Sequence, residues 1–414
     1  MAKVIVLGAC GGIGSVATKA LLCTEDVSSL IAADRRKDEL EKLVGGLGDS
    51  RLVPIEIDVI DSESVVNLLR GAELVVNCVG PFYRFGPALL EMAIEAGVDY
   101  VDVCDDLDAT IAQIELSDAA AKKGVRALIG MGSSPGLANV LVRYAADNLL
   151  DSVESVDISH VHGGEPSEGP AVIKHRIHAM VNDVPVFVDG KTRQVRMLEP
   201  SGLEFTGDVD FRDVGTFTVY PYPHPETVTL PTWMPSLKRV TNRGSVFPLD
   251  YFALTMSMVR NGIASTEPLR VDGADVVPLE FAVAHIMRER PRLIQQAGVT
   301  SPAGCLRIEV EGTKNQQTHR YVFSSGSTQD GAGAGTGIPV ALGALLMLRG
   351  GINQVGVRPP EAVVDPIQML AIAGDIVAQL GVGASQSGGN AKVPLHIEHT
   401  GPDGSVEELS LDLG

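Results

Sequence analysis

The stretch Lys3-Val4-Ile5-Val6-Leu7-Gly8-Ala9-Cys10-Gly11-Gly12-Ile13-Gly14 decides how the chain is read. An apolar run with β-branched residues meets glycines at 8, 11 and 14, and a helix-forming stretch from Ser15 to Leu22 follows at once. That order suits a buried strand turning into a helix whose N-terminal N–H groups face a phosphate. Gly8 permits the tight turn, Gly11 lets backbone approach phosphate, and Gly14 lets the helix pack closely on the strand. Cys10 stands where the tighter G-x-G-x-x-G pattern has its second glycine. Gly11 and Gly12, with Ile13 beside them, are therefore the expected backbone contacts. A glycine pattern by itself specifies little, so the neighbouring elements must carry the reading.

Downstream the strand–helix alternation repeats. Ser29 to Asp34 is a second apolar strand ending in an acid, about where a dinucleotide fold places the carboxylate that accepts both adenine-ribose hydroxyls. The plainer role for Asp34 is a cap on the next helix. Arg35 and Arg36 could instead embrace a 2′-phosphate, so the carboxylate favours NAD and the arginines leave NADP open. A third strand, 51–57, leads to Asp58-Val59, an acid and an apolar residue placed beside adenine. A fourth, 72–78, breaks at Cys78-Val79-Gly80-Pro81, a small-residue turn expected beneath the nicotinamide ribose. Strands 99–103 and 125–129 follow, and helices are expected at 36–45, 62–69, 86–96 and 109–123. Six strands alternating with five helices specify an α/β domain built on a doubly wound parallel sheet. In that setting the glycine turn becomes the floor of a dinucleotide site.

Beyond it, Ser134 and Pro135 read as N-cap and first residue of a helix over 138–149. From Ser152 the texture becomes alternating, with a hairpin turn at Asp189-Gly190 and a second hairpin of 305–311 against 319–324. This predicts an α+β domain containing an open antiparallel sheet. The glycine-rich run 331–337 reads as a flexible entry to the apolar helix 338–348, returning toward the first domain. A helix at 365–380, a Gly/Ser linker and an appended hairpin complete the chain. The expected divisions are 1–150, 151–330, 331–380 and 381–414.

Two domains suit 414 residues. A formal net charge of −19 argues against a nucleic-acid binder or an anionic membrane partner. No apolar stretch has membrane-spanning length, and no basic-then-apolar leader precedes the first strand. Five scattered cysteines without C-x-x-C spacing fit free thiols in a reducing cytoplasm. His160 and His162 lack a companion at metal spacing, so no metal is expected. Cys104 reads as a small buried residue rather than a nucleophile.

Three groups of residues together resemble the saccharopine dehydrogenase-like family of NAD(P)-dependent oxidoreductases. The first is Val75 to Pro81 with Glu95-Ala96-Gly97-Val98-Asp99-Tyr100-Val101-Asp102. The second is Gly132-Ser133-Ser134-Pro135-Gly136-Leu137-Ala138-Asn139. The third is Gly335-Thr336-Gly337-Ile338-Pro339 with Gly356-Val357-Arg358-Pro359-Pro360-Glu361. Gly163-Gly164-Glu165-Pro166 adds support. The resemblance spans roughly residues 3–380 and implies a Rossmann domain, an α/β substrate domain, a homodimer, and hydride transfer at a C–N carbon of an amine or amino-acid substrate through an imine. Reduction of another small molecule, or nucleotide binding without turnover, are the competing functions.

Where the family carries an acid before Pro-Gly, this chain has Ser134, a helix cap that could touch substrate. The turn Cys104-Asp105-Asp106 occupies a region that borders nicotinamide and substrate in the family. Asp105 and Asp106 are thus the catalytic candidates, against a plain role as a solvated cap before Ala109. Glu165 follows them. A substrate carboxylate needs a cationic clamp, and Lys174, Arg176 and His178 would share one face were this stretch a strand. A solvated basic face is the alternative.

Overall fold

The computed structural model describes residues 2–165, 168–329, 331–382 and 395–410. In chain order the first elements are β1 (Ala2–Leu7), α1 (Gly12–Leu22), β2 (Val27–Asp34), α2 (Lys37–Leu47), β3 (Leu52–Glu56), α3 (Ser62–Leu69), β4 (Leu74–Asn77), α4 (Phe82–Ala96), β5 (Asp99–Asp102), α5 (Leu107–Glu115), α6 (Ser117–Lys122), β6 (Arg126–Leu128) and α7 (Leu137–Tyr144). Then come β7 (Ser152–Gly163), α8 (Pro170–Val181), β8 (Asp183–Val188), β9 (Lys191–Arg196), α9 (Pro200–Leu203), β10 (Gly207–Phe211), β11 (Gly215–Pro221), α10 (Glu226–Trp233), β12 (Arg239–Phe247), α11 (Leu249–Arg260), β13 (Leu269–Val271), β14 (Ala274–Val276), α12 (Pro278–Gln296), β15 (Ala303–Lys314) and β16 (Gln317–Ser327). The last are α13 (Ala332–Leu348), β17 (Gly356–Arg358), α14 (Pro360–Val363), α15 (Pro366–Leu380), β18 (Leu395–Thr400) and β19 (Val406–Leu409).

Two compact units result. Among the described residues, one comprises 2–151, 333–382 and 410, and the other 152–165, 168–329, 331–332 and 395–409. The first is a parallel sheet in the order β17-β6-β5-β4-β1-β2-β3. Alternation explains its apolar strands. Val4, Val6, Leu30 and Ala32 enter one core with α1, α7, α13 and α15. Ile5, Leu7, Ile31 and Ala33 enter another with α3, α4 and α6. Both faces are covered, so the strands are apolar throughout. The direction of strand addition reverses between β1 and β4, and the crevice beyond the carboxyl ends there is the ligand position of such sheets.

The structure adds a seventh strand, β17, paired with β6. Its three residues before Pro359-Pro360 were too few to show a strand pattern. The helix expected at 109–123 is broken at Leu116 into α5 and α6. The glycine run is a correction. It is not an entry segment, because α13 starts at Ala332. A Cβ on Gly333 would lie 2.9 Å from the Gly12 oxygen, and one on Gly337 would lie 2.8 Å from the Ile13 oxygen. The glycines at 333 and 337 are one helical turn apart because α13 packs directly on the first turn of α1.

The second unit holds a ten-stranded sheet, β10-β11-β12-β7-β15-β16-β18-β19, with the β8–β9 hairpin joined to β12. Its pairings are antiparallel except β7 with β12, which is parallel. Both hairpins expected in this half are present, as β8–β9 and β15–β16. The tail hairpin extends the sheet through β18 on β16. Its outer residues, 393–394 and 411–413, and the linker positions 383–390 lie outside the described residues. Helices α8, α11 and α12 pack on the sheet around Ile177, Tyr251, Phe252 and Ile286.

Candidate active site

The turn after β1 is built from backbone. Gly8 has φ +76°, and a Cβ there would sit 2.9 Å from the Cys78 oxygen, so the β1 and β4 turns lie against each other. A Cβ on Gly14 would lie 2.2 Å from the Gly8 oxygen, which fixes α1 tightly on its strand. Gly11 caps α1 without any side-chain hydrogen bond, and a Cβ on Gly12 would meet nothing within 4 Å. The N-cap thus offers no side chain to the first-turn N–H groups of α1, as suits a pyrophosphate cradle. These residues fit a dinucleotide.

At the end of β2, Asp34 is buried and takes two donors on each oxygen. Oδ1 accepts from the Arg36 N–H and Nε, both at 3.1 Å, and Oδ2 accepts from the Cys10 N–H at 3.1 Å and Arg36 Nη2 at 3.2 Å. Burial works to raise its pKa, but the Arg36 and Cys10 donors prevail and hold it below the usual carboxylate range. Arg36 also meets Glu39 at 2.6 Å. Asp34 does not cap α2, whose N-cap is Arg36. Arg35 is exposed, Asp58 is exposed at the end of β3, and Val59 packs on the second core of this unit. Cys78, Val79, Gly80 and Pro81 are partly buried after β4. Burial raises the Cys10 and Cys78 thiols to about 12 and pushes Cys104 well above its ordinary value. All five cysteines are free thiols, and none of these three is a ready thiolate at neutral pH.

The acidic turn divides its two carboxylates. Asp106 is buried, and its Oδ2 accepts the Tyr83 N–H at 2.9 Å, tying the turn to the first turn of α4. It makes no side-chain cap on α5. Asp105 is half-buried. Ser134 is likewise half-buried but is not the cap of α7. The cap is Gly136, whose N–H donates to Asn139 Oδ1 at 2.9 Å. Asn139 Nδ2 donates to Glu361 Oε2 at 2.8 Å, joining two of the stretches that carried the resemblance.

In the second unit, the stretch 174–178 is helix α8, so Arg176 does not share a face with Lys174 and His178, which lie one turn apart. Lys174 pairs at the surface with Glu280 at 2.6 Å. Arg176 is buried and engaged by Glu168 at 2.6 Å and by the Tyr251 hydroxyl. Glu168, despite burial, is held down to about 2 by Arg176 and Tyr251. Glu165 accepts the Ala332 N–H at 3.1 Å and meets Arg290 at 3.4 Å. Burial raises its pKa, but His162 and that N–H hold it at about 2. Pro166 lies outside the described residues. His160 stacks on His224 at 5.1 Å, and burial pushes its pKa down to about 3.

Sequence reasoning missed a buried chain of Asn77, Tyr100, Asp102 and Gln113 beneath the turns at the carboxyl ends of β4, β5 and β6. The available signal was the polar residue closing each of two apolar strands.

A doubly wound sheet with a glycine turn at its switch point, and partly buried turns beyond it, is the framework of a dinucleotide-binding domain. Comparison with known proteins shows what the chain resembles. Residues 4–128 match the saccharopine dehydrogenase NADP binding domain. The chain is 26% identical over 394 residues to a carboxyaminopropylagmatine dehydrogenase of Synechocystis sp., covering 91% of this chain and 96% of that one. It is 27% identical over 398 residues to a carboxynorspermidine synthase of Vibrio cholerae, covering 86% and 91%. Its fold matches that of apo saccharopine dehydrogenase (L-Glu forming) from Saccharomyces cerevisiae with a TM-score of 0.65, at 15% identity, over 92% of this chain and 98% of that one. The chain is thus similar to the saccharopine dehydrogenase family in its NADP binding domain, and to two enzymes acting on amine-bearing compounds over nearly its whole length. Among the described residues no helix is long and apolar enough to cross a membrane.

Proposed function

We propose that the protein transfers hydride at a C–N bond of a carboxylated, amine-bearing substrate, by way of an imine, in the manner of a reductase that joins an amine to a carbonyl compound. The observation that carries this reading is the half-buried Asp105, held beside the anchored Asp106 at the carboxyl end of β5, on the side of the switch point away from Asp34. Two relatives matched over nearly the whole chain are named for carboxylated amines, which supports the same substrate class.

The nicotinamide, when bound, supplies or takes up the hydride. The first-turn N–H groups at Gly12 and Ile13, beside Gly11, hold the pyrophosphate. Asp34, Arg35 and Arg36 face the adenine ribose, with Asp58 and Val59 beside the base. Residues 78–81 support the nicotinamide half. Asp105 accepts a hydrogen bond from the substrate nitrogen and stabilises the positive charge that grows on it as the imine forms. Asp106 positions that turn through Tyr83. Ser134 contacts substrate. Arg176 and Glu165 are held by partners within their own unit, and Lys174 can meet a substrate carboxylate only by leaving Glu280.

Absorbance at 340 nm, followed with NADPH or NADH and paired amines and oxoacids, tests the reading. Reduced nucleotide should be consumed only when both an amine and a carbonyl compound are present. Consumption with a carbonyl compound alone would overturn it. Asp105→Asn should lower kcat about 100-fold while nucleotide affinity holds. An unchanged kcat removes Asp105 from the mechanism.

A further inference from the structure

The carboxylate of Asp102 has no exposed surface and four donors. Oδ1 accepts the Cys104 N–H at 3.1 Å and the Gly130 N–H at 2.8 Å. Oδ2 accepts the Tyr100 hydroxyl at 2.8 Å and Gln113 Nε2 at 2.6 Å. Tyr100 in turn accepts from Asn77 Nδ2 at 2.9 Å, and Asn77 Oδ1 accepts the Val79 N–H at 2.9 Å. The backbone oxygen of Asp102 takes the Met131 N–H at 2.7 Å. One carboxylate therefore holds the turn after β5 and the turn after β6 directly, and reaches the turn after β4 through two side chains.

These are the three strand-end turns on the far side of the switch point from Asp34. A dinucleotide with its pyrophosphate on α1 and its adenine toward β2 and β3 must send its nicotinamide half over them. We propose that Asp102 is a positioning residue for hydride transfer, fixing the turns at 79, 104 and 130 relative to one another beneath the nicotinamide and beside Asp105. Complete burial raises the pKa of this carboxyl group, while the four donors on its two oxygens oppose that rise and favour the ionised form. The clamp is thus charge-assisted and dry. It rests on the proposed function only for the presence of substrate beside Asp105.

Asp102→Asn tests this with little change of shape. Gln113 Oε1 is buried without a hydrogen-bond partner. Turning that amide over would offer Oε1 to the new Nδ2, so the variant is expected to fold. In the nucleotide-free protein, amide exchange at Cys104 and Gly130 should quicken at least tenfold. Binding of 2′,5′-ADP, which reaches only the α1 and β2 side, should stay within twofold. NADPH affinity and kcat should each fall about tenfold, and the deuterium isotope effect with labelled nucleotide should rise. Tyr100→Phe should quicken exchange at Val79 while sparing Cys104 and Gly130, and it supplies the test should the first variant not fold. Wild-type exchange and kcat in the Asn variant would overturn the proposal. So would loss of 2′,5′-ADP binding in step with Tm, which marks general destabilisation. If the substrate class is wrong, the exchange and 2′,5′-ADP results remain readable.

Discussion

Two glycine-rich turns lead from a strand into a helix in the first unit, and they do opposite things. The turn of residues 8–14 carries α1 away from β1, and its helix end is open, with no side chain on the N-cap and empty space above Gly12. The turn of residues 130–136 leads to α7, and its helix end is closed, with Asn139 reaching back to the Gly136 N–H and Glu361 holding Asn139. Each contains a glycine pressed against backbone within its own turn: a Cβ on Gly14 would lie 2.2 Å from the Gly8 oxygen, and one on Gly136 would lie 2.0 Å from the Gly132 oxygen. Glycine content therefore reports a close approach of backbone to backbone. Only the uncapped N–H groups report an anion site.

The largest effects should come from the two pressed glycines. Gly136→Ala places a methyl inside the Gly132 backbone at φ +123°, and Gly14→Ala drives α1 off β1. Each should cost on the order of 3 kcal/mol in urea unfolding. They should separate in binding. The folded fraction of Gly136→Ala should retain 2′,5′-ADP affinity, whereas Gly14→Ala should lose it. Equal loss in both would erase the distinction between a closed turn and an open one.

How far the sequence reveals these turns follows from what sets them. The parallel sheet was legible because burial on both faces makes strands apolar throughout and short loops keep the elements in order. Gly8 and Gly14 were legible because a side chain at either would meet backbone, at 2.9 Å and 2.2 Å. The capping of α7 was misread at Ser134, since the true cap uses Asn139 three residues inside the helix, and its partner Glu361 lies in a distant part of the chain. Arg176 looked like a substrate clamp because sequence shows its charge but not Glu168 and Tyr251 around it. Asp102 looked like the end of a strand because its four donors come from β5, α5 and the turns after β5 and β6. Backbone-determined features follow from local pattern, and side-chain partnerships across the fold do not.

A middling effect should sharpen the open turn. Gly12→Ala adds a methyl that meets no protein atom, so stability should change by less than about 1 kcal/mol. The methyl projects where phosphate is expected, and NADPH affinity should fall about tenfold, or about 1.4 kcal/mol. Unchanged affinity by titration calorimetry would move the pyrophosphate off this helix end.

The smallest effect concerns which nucleotide the open turn prefers. Asp34 can accept ribose hydroxyls only by giving up donors from Arg36, and Arg36 can meet a 2′-phosphate only by leaving Asp34. The pair therefore sets NAD against NADP by mutual occupation. Asp34→Ala should free Arg36 and raise the NADPH-to-NADH ratio of kcat/KM about fivefold. Arg36→Ala should lower it by a similar factor, about 1 kcal/mol each way. The ionised form of Asp34 is stabilised in the fold, since its pKa is lowered, so its contribution to stability is present above the unfolded value and fades as pH drops below it. Between pH 6 and 8, well above that range, the nucleotide ratio should be flat in the wild type. A ratio that moves with pH there, or the same ratio in both variants, would separate cofactor choice from this pair.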